Sequence, residues 1–342
     1  MSSERLGPPL AIHQRRYLGN KRQLLDFIHE IVDNEVGQAT SFADFFAGTG
    51  VVGHSFNHEN LRLVSNELLY ANYCMLDAFL GAEPLNLSLY HETLKKLLQC
   101  KIQKDCYLDE AYGGKYFGER DAQRIHAMRE KIETQAPEGR LRSALIASLL
   151  YSVDRIANTC GHYDAYRSCA PKDDQLVLYP LVFNEKANKK NEVFNLDVQE
   201  LAKLIKCDIA YLDPPYNSRQ YCDSYHVLEN IARWKKPALT GKARKFDRAE
   251  IKSEFNLKAA ATAFSQLVNN LSCNYILVSY SNMEGKGDPR SRNRISANEM
   301  IEILSSRGSV QVFERPFRAF SAGKSEVKNH AERLFLCRVS VL

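Results

Sequence analysis

The chain has 342 residues, of which 44% are hydrophobic and 25% charged, as is ordinary for a globular protein with one large domain and a smaller lobe. No apolar run reaches the roughly 20 residues of a membrane span, and nine dispersed cysteines without a CxxC pair indicate reduced thiols instead of disulfides or a zinc site. With a mild net charge of +5 and no apolar stretch at the N-terminus, we expect a cytoplasmic protein that does not bind membranes.

Strand and helix patterns alternate along most of the chain. Short apolar runs predict strands at residues 41–46, 61–66, 209–212, 274–280, 311–313 and 333–341. Helical spacing of apolar residues lies between them, at residues 24–32, 145–156, 227–234 and 300–304. This order predicts an α/β fold with a mostly parallel sheet that has helices on both faces.

Two departures from the alternation refine this prediction. No convincing helix separates the last two strand patterns, so these strands should pair antiparallel as a final hairpin. The strand pattern also stops between residues 85 and 190, where the chain is helical and rich in tyrosine. We therefore expect an inserted lobe at 85–190 and a main domain formed by 1–84 and 191–342.

A glycine-rich turn follows the first strand pattern. Gly48, Gly50 and Gly53 have GxGxxG spacing, which lets the backbone turn sharply and approach a ligand closely. Glu67 stands 19 residues after Gly48, at the end of the next strand pattern, where a carboxylate can accept both ribose hydroxyls of an adenosine. This layout suits NAD and S-adenosylmethionine equally well.

The segment Asp-Pro-Pro-Tyr at 213–216 follows the strand pattern 209–212, and open α/β sheets bind ligands at such strand ends. An aromatic amine is a poor nucleophile, and two acceptors for its hydrogens would stabilise the developing positive charge on nitrogen. Asp213 and the carbonyl of Pro214 can supply these acceptors, and Tyr216 offers a ring on which a flipped base can stack. The alternative is a Pro-rich turn capped by an aspartate.

A third motif, Tyr-Leu-Gly-Asn-Lys at 17–21, precedes the first helix pattern. Asn20 can cap that helix, which places Lys21 in the first turn, where a cation is unfavourable unless an anion is bound. The methionine carboxylate of S-adenosylmethionine is such an anion, whereas an exposed lysine without function is the alternative.

Together these segments resemble the Dam-like, or alpha-group, N6-adenine DNA methyltransferases, close to the FokI modification-methylase type. The family's order is also present here: residues 17–21, 46–50, Glu67, a long insertion and residues 213–216. Asp197 resembles the acidic residue that precedes the family's catalytic strand, and residues 115–118 and 154–166 resemble its insertion. Glu67 stands where the family often has Asp, and Tyr17 where some relatives have Trp.

The resemblance implies a Rossmann-like methyltransferase sheet with a reversed final strand and a mostly helical lobe that reads DNA. It implies methyl transfer from S-adenosylmethionine to N6 of a flipped adenine in double-stranded DNA, within a restriction-modification system whose endonuclease acts on the same site. The predicted cofactor-binding residues are Tyr17, Lys21, Phe46, Gly48, Gly50, Glu67, Asp197 and Asp213. The predicted catalytic residues are Asp213, Pro214 and Tyr216, without a metal.

Two segments are candidates for DNA contact. Residues 217–225 contain Arg219 and Tyr221 and are interpreted as a mobile loop that fills the gap left by the flipped base. Residues 235–258 hold eight Lys or Arg and three Asp or Glu, a net charge equal to that of the whole chain. The predicted phosphate contacts there are Lys242, Arg244 and Lys245, with a further basic loop at 285–294. Ordinary solvated loops are the alternative for each.

Other functions remain open from the sequence alone. N4-cytosine methylation would use the same geometry, although relatives acting on cytosine more often have Ser in place of Asp213. An NAD-dependent oxidoreductase would explain the glycine turn but not Asp-Pro-Pro-Tyr. A DNA-binding module with a dead catalytic site would have no use for the intact motifs, and RNA or a protein amide is an alternative substrate.

Overall fold

The structure is a computed structural model that describes residues 6–15, 17–215, 219–281, 295–316 and 331–340. Its centre is a seven-stranded sheet with the order β3-β2-β1-β4-β5-β7-β6. The strands are β1 Ser41–Asp44, β2 Arg62–Asn66, β3 Glu192–Phe194, β4 Lys206–Leu212, β5 Ser272–Ser281, β6 Gly308–Pro316 and β7 Ala331–Val339. Strands β1 to β5 are parallel, and β7 runs antiparallel to both β5 and β6.

Helices cover both faces of the sheet in the described part of the chain. They are α1 Leu25–Glu35, α2 Val51–Phe56, α3 Tyr70–Leu80, α4 Leu87–Leu98, α5 Tyr107–Tyr112, α6 Glu119–Gln135, α7 Arg140–Ile156, α8 Val198–Leu204, α9 Tyr221–Ser224, α10 His226–Arg233, α11 Ala260–Asn270 and α12 Ala297–Ser305. Along β4, Ile209 and Tyr211 enter the core on one face, with α1, α3, α7 and α10. Ala210 and Leu212 enter the other core, with α8, α11 and α12.

The α/β class, the parallel sheet and the reversed strand of the predicted fold are confirmed. The last two strands pair antiparallel, as expected, and β7 lies between β5 and β6, which places β6 at the edge. The predicted first strand was too long, since residues 45 and 46 already belong to the turn. Sequence patterns missed β3, a three-residue edge strand that starts directly after the insertion.

The insertion is helical in the described structure, as predicted, and it packs on the helices of the sheet. Helix α7 contacts α3 and α10, and their apolar side chains belong to one continuous core. The N-terminal segment pairs with the end of the insertion through bridges of Leu6 to Leu178 and Leu10 to Leu181. None of the helices among the described residues is both long and apolar enough to cross a membrane.

Candidate active site

The glycine-rich turn connects β1 to α2 and needs two residues in the left-handed region. Gly48 has φ +55° and Gly50 has φ +76°, conformations that L side chains rarely adopt. A Cβ on Gly50 would lie 2.5 Å from Cδ2 of Leu76, and one on Gly48 would lie 3.2 Å from the ring of Tyr17. Both positions therefore favour glycine for the sharp backbone turn, as the sequence predicted, and Gly50 is also required for close packing against Leu76.

Glu67 follows β2 and is tied to the glycine turn. Its Oε2 accepts a hydrogen bond from the amide of Gly48 at 2.9 Å, and its Oε1 accepts one from the amide of Leu69 at 3.1 Å. Burial raises the pKa of Glu67 to about 7, although these two amides oppose the shift. The carboxylate is thus held at the sheet edge beside the turn, with lone pairs left for further donors.

Asp44, the last residue of β1, is a site residue that the sequence reasoning missed. Its side chain is only 1% exposed, it lines the same cleft as the glycine turn, and its Oδ1 has no hydrogen-bond partner among the described residues. Burial raises the pKa of Asp44 to about 8, and the negative charge of Asp213 adds to the shift. The signal was available, because Asp44 ends a strand just before a ligand-binding turn.

Asp213 lies at the carboxyl end of β4, next to the end of β1, and forms an ion pair with Lys21. The Nζ atom of Lys21 is 2.9 Å from Oδ1 of Asp213, and the two side chains are 5% and 16% exposed. Burial raises the pKa of Asp213, while the charge and hydrogen bond of Lys21 oppose the shift. Asn20 accepts a hydrogen bond from the amide of Arg22 at 2.8 Å, which fixes the start of the helical segment behind Lys21.

Three tyrosines stack on one another, and two of them, Tyr17 and Tyr221, line the cleft. The ring of Tyr17 lies 5.3 Å from that of Tyr221 and 4.7 Å from that of Tyr225, with interplanar angles of 16° and 14°. The main chain of Leu18 donates to the hydroxyl of Tyr225 and accepts from the hydroxyl of Tyr221. The Tyr-Leu-Gly-Asn-Lys motif is therefore held against α9 and the start of α10.

One cleft joins these motifs. Its lining contains most of the predicted cofactor residues: Tyr17, Lys21, Phe46, Gly48, Glu67, Asp197 and Asp213. Gly50 belongs to the same turn but does not line the cleft. Asp197 also caps α8, accepting from the amide of Gln199 at 2.8 Å, and Phe46 packs against the edge of Phe255.

Only some of the predicted catalytic residues line the cleft in the part of the chain that the structure describes. Asp213 and Pro215 line the cleft, whereas the side chain of Pro214 is buried outside its lining. Tyr216 lies outside the described residues, as do residues 217 and 218 and the basic loop at 285–294.

The interpretation of residues 217–225 as a mobile loop is wrong for the described part, 219–225. Tyr221 begins helix α9 and lines the cofactor cleft through its stacking on Tyr17, and Cys222, Ser224 and Tyr225 are buried. The segment is helical because it packs between the N-terminal motif and the insertion, where Tyr163 donates its amide to the carbonyl of Ser224 at 2.7 Å.

Nearby carboxylates neutralise more of the positive charge of the basic segment, residues 235–258, than its sequence suggested. Lys245 pairs with Asp164 of the insertion at 2.9 Å and with Asp223 at 3.4 Å, and Arg248 also pairs with Asp223 at 2.8 Å. Lys242 is exposed on the same turn, and Arg244 is half-buried with φ +54°. Lys245 is therefore a tether between two segments, a role that the count of charges could not reveal.

Comparisons with known proteins agree with this geometry. A family model described as D12 class N6 adenine-specific DNA methyltransferase matches residues 17–287. Type II methyltransferase M.NlaIII of Neisseria lactamica is 30% identical, with 92% of this chain and 95% of that protein covered. Modification methylase LlaI of Lactococcus lactis subsp. lactis is 32% identical, with 93% and 53% covered. Type II methyltransferase M.FokI of Planomicrobium okeanokoites is 30% identical, with 93% and 51% covered. The chain thus spans about half the length of the last two relatives and nearly all of the first.

Proposed function

We propose that this chain, which belongs to the D12 class N6 adenine-specific DNA methyltransferase family, transfers a methyl group from S-adenosylmethionine to N6 of an adenine in DNA. The observation that carries the proposal is the position of Asp213. Its carboxylate lines the same cleft as the glycine turn and Glu67. A carboxylate for the target amine thus stands in the same cavity as the residues proposed to hold the methyl donor.

The cleft suits the charges and hydroxyls of S-adenosylmethionine. Glu67 would accept the ribose hydroxyls, and the buried Oδ1 of Asp44, which has no hydrogen-bond partner among the described residues, would accept from the methionine ammonium. Lys21 would face the methionine carboxylate, and Asp197 would close the adenosine end of the cleft. When bound, the sulfonium supplies an activated methyl group, so the protein needs neither a covalent intermediate nor a metal.

The chemistry of the chain's own residues is electrostatic. Asp213 would accept one N6 hydrogen, and the carbonyl of Pro214 the other, which makes the nitrogen a better nucleophile and stabilises its positive charge. Tyr216 would stack on the base once it has left the helix. The closed, largely buried setting of Asp213 strengthens these interactions, because charges interact more strongly away from water.

We propose that residues 1–84 and 191–342 form the catalytic domain and that the insertion, 85–190, recognises double-stranded DNA. Support comes from the tether between Lys245 and Asp164, which holds the basic segment against the insertion. Support for a cognate restriction endonuclease as partner comes only from the relatives, which are named modification methylases and Type II methyltransferases.

Replacement of Asp213 tests the function. Asp213→Asn should abolish transfer of tritiated methyl groups to unmethylated plasmid while the protein stays folded, and digestion of the wild-type product to nucleosides should give N6-methyladenine. The matched control is Asp33→Asn, the same substitution at an exposed position of α1, which should retain full activity. A folded Asp213→Asn protein with wild-type activity would refute the assignment, and N4-methylcytosine in the product would change the target base.

A further inference from the structure

The hydroxyl of Tyr17, whose side chain lines the cleft, ends a chain of buried polar groups. The Nη1 atom of Arg15 donates to Oδ1 of Asn72 at 2.6 Å, and Nδ2 of Asn72 donates to the hydroxyl of Tyr17 at 3.1 Å. Arg15 is 5% exposed, and Asn72, in the first turn of α3, is fully buried. Neither of these two residues lines the cleft, so Tyr17 is the member of the chain that a ligand in the cleft can contact.

The arginine fixes the direction of these hydrogen bonds. A guanidinium has donors and no acceptor, so the oxygen of the Asn72 amide must face Arg15 and its NH2 group must face Tyr17. The oxygen of Tyr17 is therefore the acceptor in this contact, and its hydrogen points away from Asn72. None of the residues that the structure describes accepts that hydrogen.

The side chain of Arg15 is held by several contacts. Its guanidinium lies 5.3 Å from the ring centroids of both Tyr17 and Tyr225, and Nη1 also contacts the sulfur of Met75 at 3.1 Å. The two rings offset part of the cost of burying a cation. Burial raises the pKa of Tyr17 well above its usual value, and Arg15 only opposes this shift, so the phenol keeps its hydrogen at neutral pH.

The hydroxyl end of Tyr17 lies beside the part of the glycine turn that holds Glu67. A Cβ on Gly48 would lie 3.2 Å from Cε1 of Tyr17 and 3.9 Å from Cζ, the carbon that carries the hydroxyl. The amide of the same glycine donates to Oε2 of Glu67 at 2.9 Å. Burial raises the pKa of Glu67, and Asn72 is among the hydrogen-bond donors that lower it. A donor, Tyr17, and an acceptor, Glu67, thus border the same region of the cleft.

A ribose hydroxyl uses both kinds of partner, because it donates one hydrogen and accepts through its oxygen. The carboxylate of Glu67 can accept the hydrogens of a ribose, but it has no hydrogen to give to the oxygens. A phenol with its hydrogen available in the same region supplies that donor. Such a site also discriminates between a sugar with the hydroxyl and a sugar without it.

We infer that the hydroxyl of Tyr17 donates a hydrogen bond to a ribose hydroxyl of S-adenosylmethionine, and that Arg15 and Asn72 are positioning residues that orient this donor. The inference rests on the proposed function, in which Glu67 binds the same ribose. It gives two buried residues outside the cleft a role in binding the cofactor.

The first test removes the hydroxyl and keeps the ring. Tyr17→Phe should weaken the binding of S-adenosylhomocysteine about three- to tenfold in isothermal titration calorimetry, as expected for one neutral hydrogen bond. Of the 2′-deoxy and 3′-deoxy analogues of this ligand, the one that lacks the contacted hydroxyl should bind to both proteins with nearly equal affinity. The same loss for all three ligands, or no loss for any, would overturn the inference. The matched control is Tyr275→Phe, at a partly exposed ring on β5, which should bind all three ligands like the wild type.

The second test reverses the orientation of the hydrogen bond. Asn72→Asp keeps the size of the side chain and the contact with Arg15, but its other oxygen accepts the hydrogen of Tyr17 and draws it away from the ribose. The substitution should therefore weaken binding of S-adenosylhomocysteine about threefold more in the wild type than in the Tyr17→Phe background. The effect of the added charge is common to both backgrounds and cancels in this comparison. Equal losses in both would show that Asn72 does not orient the hydroxyl.

The melting temperature shows whether each variant is folded. If Asn72→Asp does not fold, Arg15→Met replaces it in both backgrounds, because it lets the amide of Asn72 turn; the expected and the contradicting outcomes stay the same. A wild-type protein that does not bind S-adenosylhomocysteine would refute the proposed function. Wild-type affinity of Tyr17→Phe for this ligand would overturn the present inference alone.

Discussion

The Nζ atom of Lys21 lies 2.9 Å from Oδ1 of Asp213, although one residue precedes the first helix and the other follows the fourth strand. Both side chains are largely removed from water, so each charge depends on the other. The ion pair therefore links the N-terminal motif directly to the residue proposed to bind the target amine. Its first consequence concerns the pH at which Asp213 is ionised.

Lys21→Met should move the acid limb of methyl transfer to higher pH by about one unit or more, because an opposite charge lowers a carboxyl pKa by about that amount. Lys21 opposes the burial that raises the pKa of Asp213, and without it a higher pH is needed to ionise the carboxylate. Single-turnover rates between pH 5 and 9 measure the shift. Arg22→Met, at the exposed neighbouring position, is the control, and an acid limb that stays in place would show that Lys21 does not set this ionisation.

Gly50→Ala should destabilise the protein more than Gly37→Ala does. Both glycines have positive φ, +76° and +74°, so both substitutions incur the backbone cost of about 1–2 kcal/mol. Only at Gly50 would the new Cβ collide with Leu76, whereas Gly37 has no atom within 4 Å of that position. This collision should add about 1–3 kcal/mol to the loss of unfolding free energy caused by Gly50→Ala. Urea unfolding of both variants measures the two losses. Equal losses would mean that the turn can shift away from α3.

Asp44→Asn should make the ligand-free protein more stable at alkaline pH. The pKa of Asp44 is raised to about 8, so between about pH 4 and 8 the folded state binds a proton that the unfolded state has lost. Stability should therefore be complete at low pH and fall as pH rises to about 8, by up to about 1.4 kcal/mol per pH unit. Asn does not titrate, so the free energy of unfolding of the Asp44→Asn protein should change less with pH than that of the wild type. Parallel curves for both proteins would show that Asp44 is not perturbed.

The positions of the main motifs could be predicted from the sequence. The turn at Gly48–Gly50, Glu67 and Asp213 each follow an apolar run, and the carboxyl ends of parallel strands meet at one edge of a sheet. The same argument would have found Asp44, which also ends a strand. The position of Lys21 at the start of a helix and the family resemblance of Tyr17 added these two residues to the group, and both line the cleft.

Contacts between distant segments could not be predicted in this way. The position of β7 between β5 and β6 depends on strand pairing that periodicity does not encode. The three residues of β3 are too few for a pattern. Tyr221 was assigned to a DNA-binding loop because of its aromatic ring, but its partner, Tyr17, lies at the other end of the sequence.

Lysines of the basic segment should differ in their effect on DNA binding. Lys242 is exposed, so Lys242→Met should weaken binding to all sequences and reduce the slope of log K against log salt by about 1. Lys245 is paired with Asp164 and Asp223, so Lys245→Met should leave that slope nearly unchanged and lower the melting temperature, because it removes the cation that ties Asp164 of the insertion to Asp223. Fluorescence anisotropy over a salt series measures the slopes, with exposed Lys203→Met on α8 as control. An equal reduction of the slope by both variants would mean that Lys245 exchanges its carboxylate partners for a phosphate when DNA binds. No reduction by either variant would mean that neither lysine contacts a DNA phosphate.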